Sequence, residues 1–235
     1  MFRPGQRQFL PALKSRPVDR SPLLIVLHGR GDSIAPFLDF RSELGIPEMN
    51  MLLINGHRRM GDGFAWCGLN PTEANGLAKS RTLLRETLDE LVAMGWDERN
   101  IFLLGFSEGA LTAMDFVLQE RQNLAGVISV SGCVHFPKRM SRDLSDLPPL
   151  LFTHGWLDDV LLHEDTWLQA KRLAARGARL QFRSFAKEHE IDPKEELPVI
   201  RDWILRQIRG LPRGLDSTRP RATSTKLDRT SLKSR

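Results

Sequence analysis

The chain has 235 residues, 41% of them apolar and 27% charged, with a formal net charge of +5. That length suits one large core, and no stretch approaches the about 18 consecutive apolar residues a membrane-spanning helix needs, so a soluble globular domain is expected. Cys67 and Cys133 are the only cysteines; two thiols beside a core of this size do not make a disulfide framework and read as reduced and incidental.

The first residues, Met1-Phe2-Arg3-Pro4-Gly5-Gln6-Arg7, have no apolar run behind their charges and do not read as a secretory signal, so a cytoplasmic location is expected. Short apolar runs then predict buried strands at Leu23 to His28, Met51 to Asn55, Ile101 to Gly105, Gly126 to Val130, Leu150 to His154 and Leu180 to Phe185, with a further candidate near Gln8 to Leu13. Longer amphipathic segments lie between them. Leu84, Leu88, Leu91 and Val92 form one apolar helix face that stops at Gly95. Leu111, Met114 and Leu118 form a second, a third helix runs from His163 to Arg176 before Gly177, and a last one turns Ile200, Trp203, Ile204 and Ile208 inward before Gly210 and Pro212. This alternation predicts an α/β fold: a mostly parallel sheet of six or seven strands with helices on both faces. The short connection between Val130 and Leu150 leaves little room for a cap domain.

From Pro212 to Arg235 seven basic residues stand against two acidic ones, which accounts for the whole net charge. The stretch is rich in Ser, Thr, Arg and Lys and cannot bury enough apolar surface to fold. A domain over residues 1–211 and a disordered basic tail over 212–235 are therefore expected. No aromatic side chains interleave with the tail's charges, so it reads as a solvated extension that binds RNA or anionic lipid weakly at most.

Gly105-Phe106-Ser107-Glu108-Gly109 has the G-x-S-x-G pattern, directly after a predicted strand and directly before a predicted helix. In that setting the serine sits on a tight elbow with the helix's free N–H groups aimed at it, which favours developing negative charge. The bland reading is a serine capping a core helix. A serine hydroxyl needs a base, and histidine suits that near neutral pH. When the acid and then the base follow the nucleophile in the chain, His28 and His57 drop out, His135 precedes the acid's strand, His154 ends an apolar strand, and His163 falls in a helix. His189 remains, in the loop after the last strand, at the sheet edge where open α/β sheets place their sites. The loop after the strand Leu150 to His154 offers Asp158 and Asp159 as the acid. Only one can face the imidazole; Asp158 is favoured, with Asp159 as a helix cap or solvated charge.

These segments resemble the phospholipase/carboxylesterase family of α/β hydrolases, which includes acyl-protein thioesterases. The resemblance covers roughly residues 20 to 210 and rests on Leu27-His28-Gly29-Arg30-Gly31-Asp32, the elbow at Ser107, His154-Gly155-Trp156-Leu157-Asp158 and His189-Glu190-Ile191. It implies the α/β-hydrolase fold, puts the acid on Asp158, and implies an oxyanion hole from the backbone N–H groups of Arg30 and Glu108. Glu108 stands where the family usually has Gln, Ala110 replaces a common Gly, and Asp159 occupies a position often held by Pro. Gly61-Asp62-Gly63-Phe64-Ala65-Trp66 is similar to the family's aromatic segment beside the acyl pocket, although Cys67-Gly68-Leu69-Asn70 departs from the usual sequel.

The expected reaction is cleavage of a carboxylic ester or thioester of short to medium acyl chains through an acyl-enzyme. Phe64, Trp66, Trp156 and Leu157 are expected near the substrate, with Trp66 alternatively packing its loop down. No cofactor is implied, and no His or Cys pair has metal-ligand spacing. The partner is a small ester or thioester, and a homodimer is left open. Rival readings are a peptidase or amidase on the same residues and an inactive hydrolase fold used for binding.

Overall fold

The computed structural model describes residues 6–14, 16–67, 74–120, 123–137 and 143–210. The expected tail at 212–235 and the departure at Gly68 to Asn70 lie outside them. Among the described residues nine strands form: β1 (Arg7–Leu10), β2 (Leu23–Leu27), β3 (Asn50–Ile54), β4 (Arg58–Met60), β5 (Gly63–Ala65), β6 (Ile101–Phe106), β7 (Gly126–Val130), β8 (Leu150–Gly155) and β9 (Leu180–Phe185). Five α-helices accompany them: α1 (Phe40–Leu44), α2 (Ala74–Ala93), α3 (Glu108–Glu120), α4 (His163–Ala174) and α5 (Glu196–Gly210). Seven strands make one sheet in the order β1-β3-β2-β6-β7-β8-β9. Only β1 runs antiparallel, against β3.

The central strands are apolar at nearly every position because crossover helices cover both faces of a parallel sheet. In β2, Leu23, Ile25 and Leu27 enter one core with Leu84, Leu88 and Leu91 of α2 and with Met114 and Val117 of α3. Leu24 and Val26 enter the other, with Phe40 and Leu44 of α1 and Ile200, Trp203 and Ile204 of α5. Burying each such aliphatic side chain is worth about 1.5–3 kcal/mol, so both helix layers are held by the same strands. Val92, expected on the inner face of α2, is instead 46% exposed. Its position lies one step round the helix from Leu91, past the edge of the buried stripe.

The β4–β5 hairpin was not expected from the sequence. Arg58, Arg59 and Met60 are all exposed, and no alternation marks them as a strand. Backbone pairing from Arg58 to Ala65 and from Met60 to Gly63 defines the hairpin, and a bridge between Phe64 and Asp32 ties it to the turn after β2. The turns after β2, β6, β8 and β9 all open at the carboxyl edge of the sheet, where the candidate residues converge.

Candidate active site

Ser107 sits between β6 and α3 with a φ of 53°, a left-handed conformation costly for any residue but glycine. Its amide donates to Val130 O at 3.0 Å and its carbonyl accepts from Leu111 N at 3.1 Å, which anchors the elbow on both sides. The flanking glycines are required by contact. A Cβ on Gly105 would overlap the backbone of Gly109, and one on Gly109 would overlap the carbonyl of Leu27.

His189 lies in the loop between β9 and α5, its ring centroid 5.1 Å from that of Phe106. Its Nε2 is 2.8 Å from Ser107 Oγ and its Nδ1 is 2.8 Å from Asp158 Oδ2. With the proton on Nδ1 donated to Asp158, Nε2 is left to accept from the serine hydroxyl. Asp158 is buried, and its Oδ1 accepts from the amides of Val160 at 3.0 Å and Leu161 at 2.9 Å. Burial alone would raise the Asp158 carboxyl. The Leu161 and Val160 amides and the His189 imidazole outweigh it and hold the pKa below the ordinary aspartate value. Asp159 is exposed and faces solvent. The structure thus brings Ser107, His189 and Asp158 into one hydrogen-bonded line and leaves Asp159 out of it.

The turn after β2 packs beside the serine: a Cβ on Gly29 would lie 3.5 Å from Ser107 Cβ. The hairpin straps this turn down through Gly31 N to Phe64 O at 2.8 Å and Phe64 N to Asp32 O at 2.7 Å. Among the described residues, neither the Arg30 nor the Glu108 amide has an acceptor in the protein. Both are therefore free to donate to a ligand. Phe64 is half-buried, with the Arg59 guanidinium 4.9 Å from its ring centroid, and it holds the turn through its main chain. Trp66, expected either beside the substrate or packing its loop down, has no exposed surface; its indole N–H donates to His28 O at 2.9 Å. It packs the loop down, because its ring is taken up by the core and by the His28 ring 5.4 Å away. Trp156 and Leu157, which immediately precede Asp158 in the chain, are each 60% exposed.

Three contributions were missed in the sequence. Glu108, read for its backbone N–H, also buries its carboxylate, which accepts from Trp66 N at 2.9 Å and Cys67 Sγ at 2.7 Å and lies 3.7 Å from the Arg30 guanidinium. Burial and that bond push the Cys67 thiol up to about 12, so it stays protonated and donates. The signal was the charged residue itself, in place of the family's neutral one. Lys187 and Glu196 form a buried ion pair at 2.9 Å, and Lys187 Nζ also reaches Ser131 Oγ at 3.0 Å and the Glu190 carbonyl. This pair fastens the loop carrying His189 to the start of α5. Nothing in the local sequence separates these two charges from their exposed neighbours. Lys187→Met is expected to cost about 3–5 kcal/mol in urea unfolding, because Glu196 stays buried without its cation. Adding Glu196→Leu should recover most of that loss; a single-variant cost under about 1 kcal/mol would show that the pair holds little.

His154, read as filling the core edge, is fully buried. Its Nε2 lies 2.8 Å from Leu161 O and 3.3 Å from Asp158 Oδ2, while its Nδ1 has no partner among the described residues. Burial holds the pKa of His154, and that of the buried His28, below the ordinary imidazole value. Below pH ~6.5 the unfolded chain takes up protons that these folded histidines refuse, so stability falls with acidification by up to about 1.4 kcal/mol per pH unit for each. Urea midpoints at pH 7.5 and 5.5 should therefore drop less in His154→Gln than in the wild type. An equal drop in both would mean that His154 does not carry the effect.

The sequence profile of the phospholipase/carboxylesterase family matches residues 11–206. The chain belongs to the phospholipase/carboxylesterase family. Among its relatives, lysophospholipase-like protein 1 of Mus musculus is 30% identical over 133 residues, 54% of this chain and 55% of that protein. Acyl-protein thioesterase 1 of Schizosaccharomyces pombe is 26% identical over 151 residues, 57% of this chain and 67% of that protein. The chain spans about half the length of most of the curated relatives it matches. The crystal structure of esterase PE8 superposes with a TM-score of 0.72 at 24% identity, covering 86% of this chain and 98% of that one. That likeness shows the α/β-hydrolase fold. Among the described residues no helix is long and apolar enough to cross a membrane, and no group of three or more His, Cys, Asp or Glu side chains is placed to hold a metal ion.

Proposed function

We propose that this chain is a serine hydrolase that cleaves carboxylic ester or thioester bonds of short to medium acyl chains through an acyl-enzyme on Ser107. The observation that carries this reading is the line from Ser107 Oγ through both nitrogens of His189 to Asp158, at 2.8 Å on each side.

In the proposed reaction Ser107 Oγ attacks the carbonyl carbon while His189 Nε2 takes the hydroxyl proton. The carbonyl electrons move onto oxygen, and the resulting oxyanion accepts from the Arg30 and Glu108 amides, each worth about 3–4 kcal/mol in the transition state. Collapse breaks the bond to the alcohol or thiol, which leaves with the proton from His189. A water molecule then gives a proton to His189 and attacks the acyl-serine, releasing the acid and restoring Ser107. Asp158 keeps the imidazole in the required tautomer and stabilises it when charged. Phe64, Trp156 and Leu157 would contact the acyl or leaving group, and the lack of a long insertion between β7 and β8 favours an open, short-chain site.

The test is a panel of p-nitrophenyl esters from acetyl upward, the matching acyl thioesters and aminoacyl anilides. Turnover of esters or thioesters with a maximum at short to medium chains is expected. Faster cleavage of anilides than of esters would move the reading to an amidase, and no turnover of any substrate would favour a binding module.

A further inference from the structure

The outer face of α4 carries charges in an arrangement that is complementary to itself. Thr166, Ala170 and Leu173 point into the core, and at about 100° per residue Leu168 lies on the opposite side of the helix. Leu168 is 53% exposed and Trp167 40% exposed. Glu164 and Asp165 flank Leu168 one turn toward the helix start, and Lys171 and Arg172 one turn toward its end, all four exposed. Reversing the helix about Leu168 therefore exchanges the acidic pair for the basic pair.

We propose that α4 is a self-association surface, on which a second copy of this chain packs its own α4 antiparallel about a two-fold axis beside Leu168. In that arrangement the two Leu168 side chains meet at the centre. Glu164 and Asp165 of each copy lie over Lys171 and Arg172 of the other, as the same patch on both sides of a two-fold interface requires. Val160 and Leu162, 63% and 61% exposed, extend the apolar area from the helix start. The basic side chains are already ordered: Lys171 Nζ lies 4.2 Å from the Trp167 ring centroid, and the Arg172 guanidinium 4.1 Å from that of Phe136. Less conformational freedom is then lost on pairing.

Compensation of the helix dipole accounts for acids at the start of α4 and bases at its end. It does not account for Leu168 and Trp167 standing exposed between them. An anionic lipid surface is a poorer occupant, because Glu164 and Asp165 lie within the contact area and would repel its headgroups.

The test is sedimentation velocity on the full chain at micromolar and higher concentrations. The wild type is expected to sediment as two chains. Glu164→Lys with Asp165→Lys makes the face wholly basic, and Lys171→Glu with Arg172→Glu makes it wholly acidic. Each of these double variants is expected to be a monomer with wild-type far-UV circular dichroism, and an equimolar mixture of the two should regain the two-chain mass. The proposal is overturned if the wild type stays monomeric, including when it binds vesicles of anionic phospholipid instead. It is equally overturned if either double variant alone keeps the two-chain mass, or if the mixture remains monomeric.

Discussion

Ser107→Ala is expected to lower kcat for ester hydrolysis by a factor on the order of 10⁶, leaving only the catalysis that binding and oxyanion stabilisation supply. Alanine tolerates the 53° φ of this elbow as poorly as serine does, so the folded structure and its urea midpoint should change little. The loss then reads out chemistry and not unfolding. Two further signals belong to the same variant. Wild-type protein mixed with a p-nitrophenyl ester should release up to one equivalent of p-nitrophenolate per site in a burst where deacylation is slow, and a fluorophosphonate should add once, at Ser107. Both should vanish in Ser107→Ala. A variant that kept more than about 1% of wild-type kcat would remove Ser107 from the mechanism, since a lost nucleophile costs orders of magnitude more than that.

Asp158→Asn should lower kcat by about 10⁴ with a small change in KM, whereas Asp159→Asn should leave both within about two-fold. The geometry gives the reason. Oδ1 of Asp158 accepts from the Val160 and Leu161 amides, so an asparagine must keep its carbonyl oxygen there and turn its NH₂ toward His189. Nδ1 must then accept, which moves the imidazole proton to Nε2 and leaves nothing to take the Ser107 proton. Asp159 is exposed and makes no such contact. If Asp159→Asn lost activity and Asp158→Asn kept it, the assignment of the acid would be reversed.

Much of the site's chemistry was readable as sequence because its physical requirements are local. A serine between two glycines, at the junction of an apolar run and an amphipathic helix, needs only its neighbours to become an elbow. The order of Ser107, Asp158 and His189 along the chain left one histidine after the last strand. Side-chain contacts among distant residues were not readable. The Glu108 carboxylate meets Trp66 and Cys67 from 42 and 41 residues away, and the sequence leaves Trp66 either beside the substrate or packing its loop down, because an aromatic beside a glycine-rich loop carries no sign of which way it faces. The hairpin at Arg58 to Ala65 escaped notice because its first strand has no apolar alternation and exists through its pairing.

By itself the sequence determined the strands of the main sheet, the helices α2 to α5, their order along the chain, and the residues on which ester chemistry would rest, since apolar runs, helix periodicity and glycine-bounded turns depend on a few adjacent side chains. The run Leu23-Leu24-Ile25-Val26-Leu27 announced a strand buried on both faces, yet it left open which residues face which helices. The tertiary structure decided that, along with the burial of the Lys187–Glu196 pair, the strapping of the Arg30 turn by Phe64 and the placing of Asp158, and not Asp159, against the His189 ring. Each of these depends on which distant groups share a low-dielectric interior, where an unpaired charge or amide costs several kcal/mol and the packing of the whole chain selects the partner.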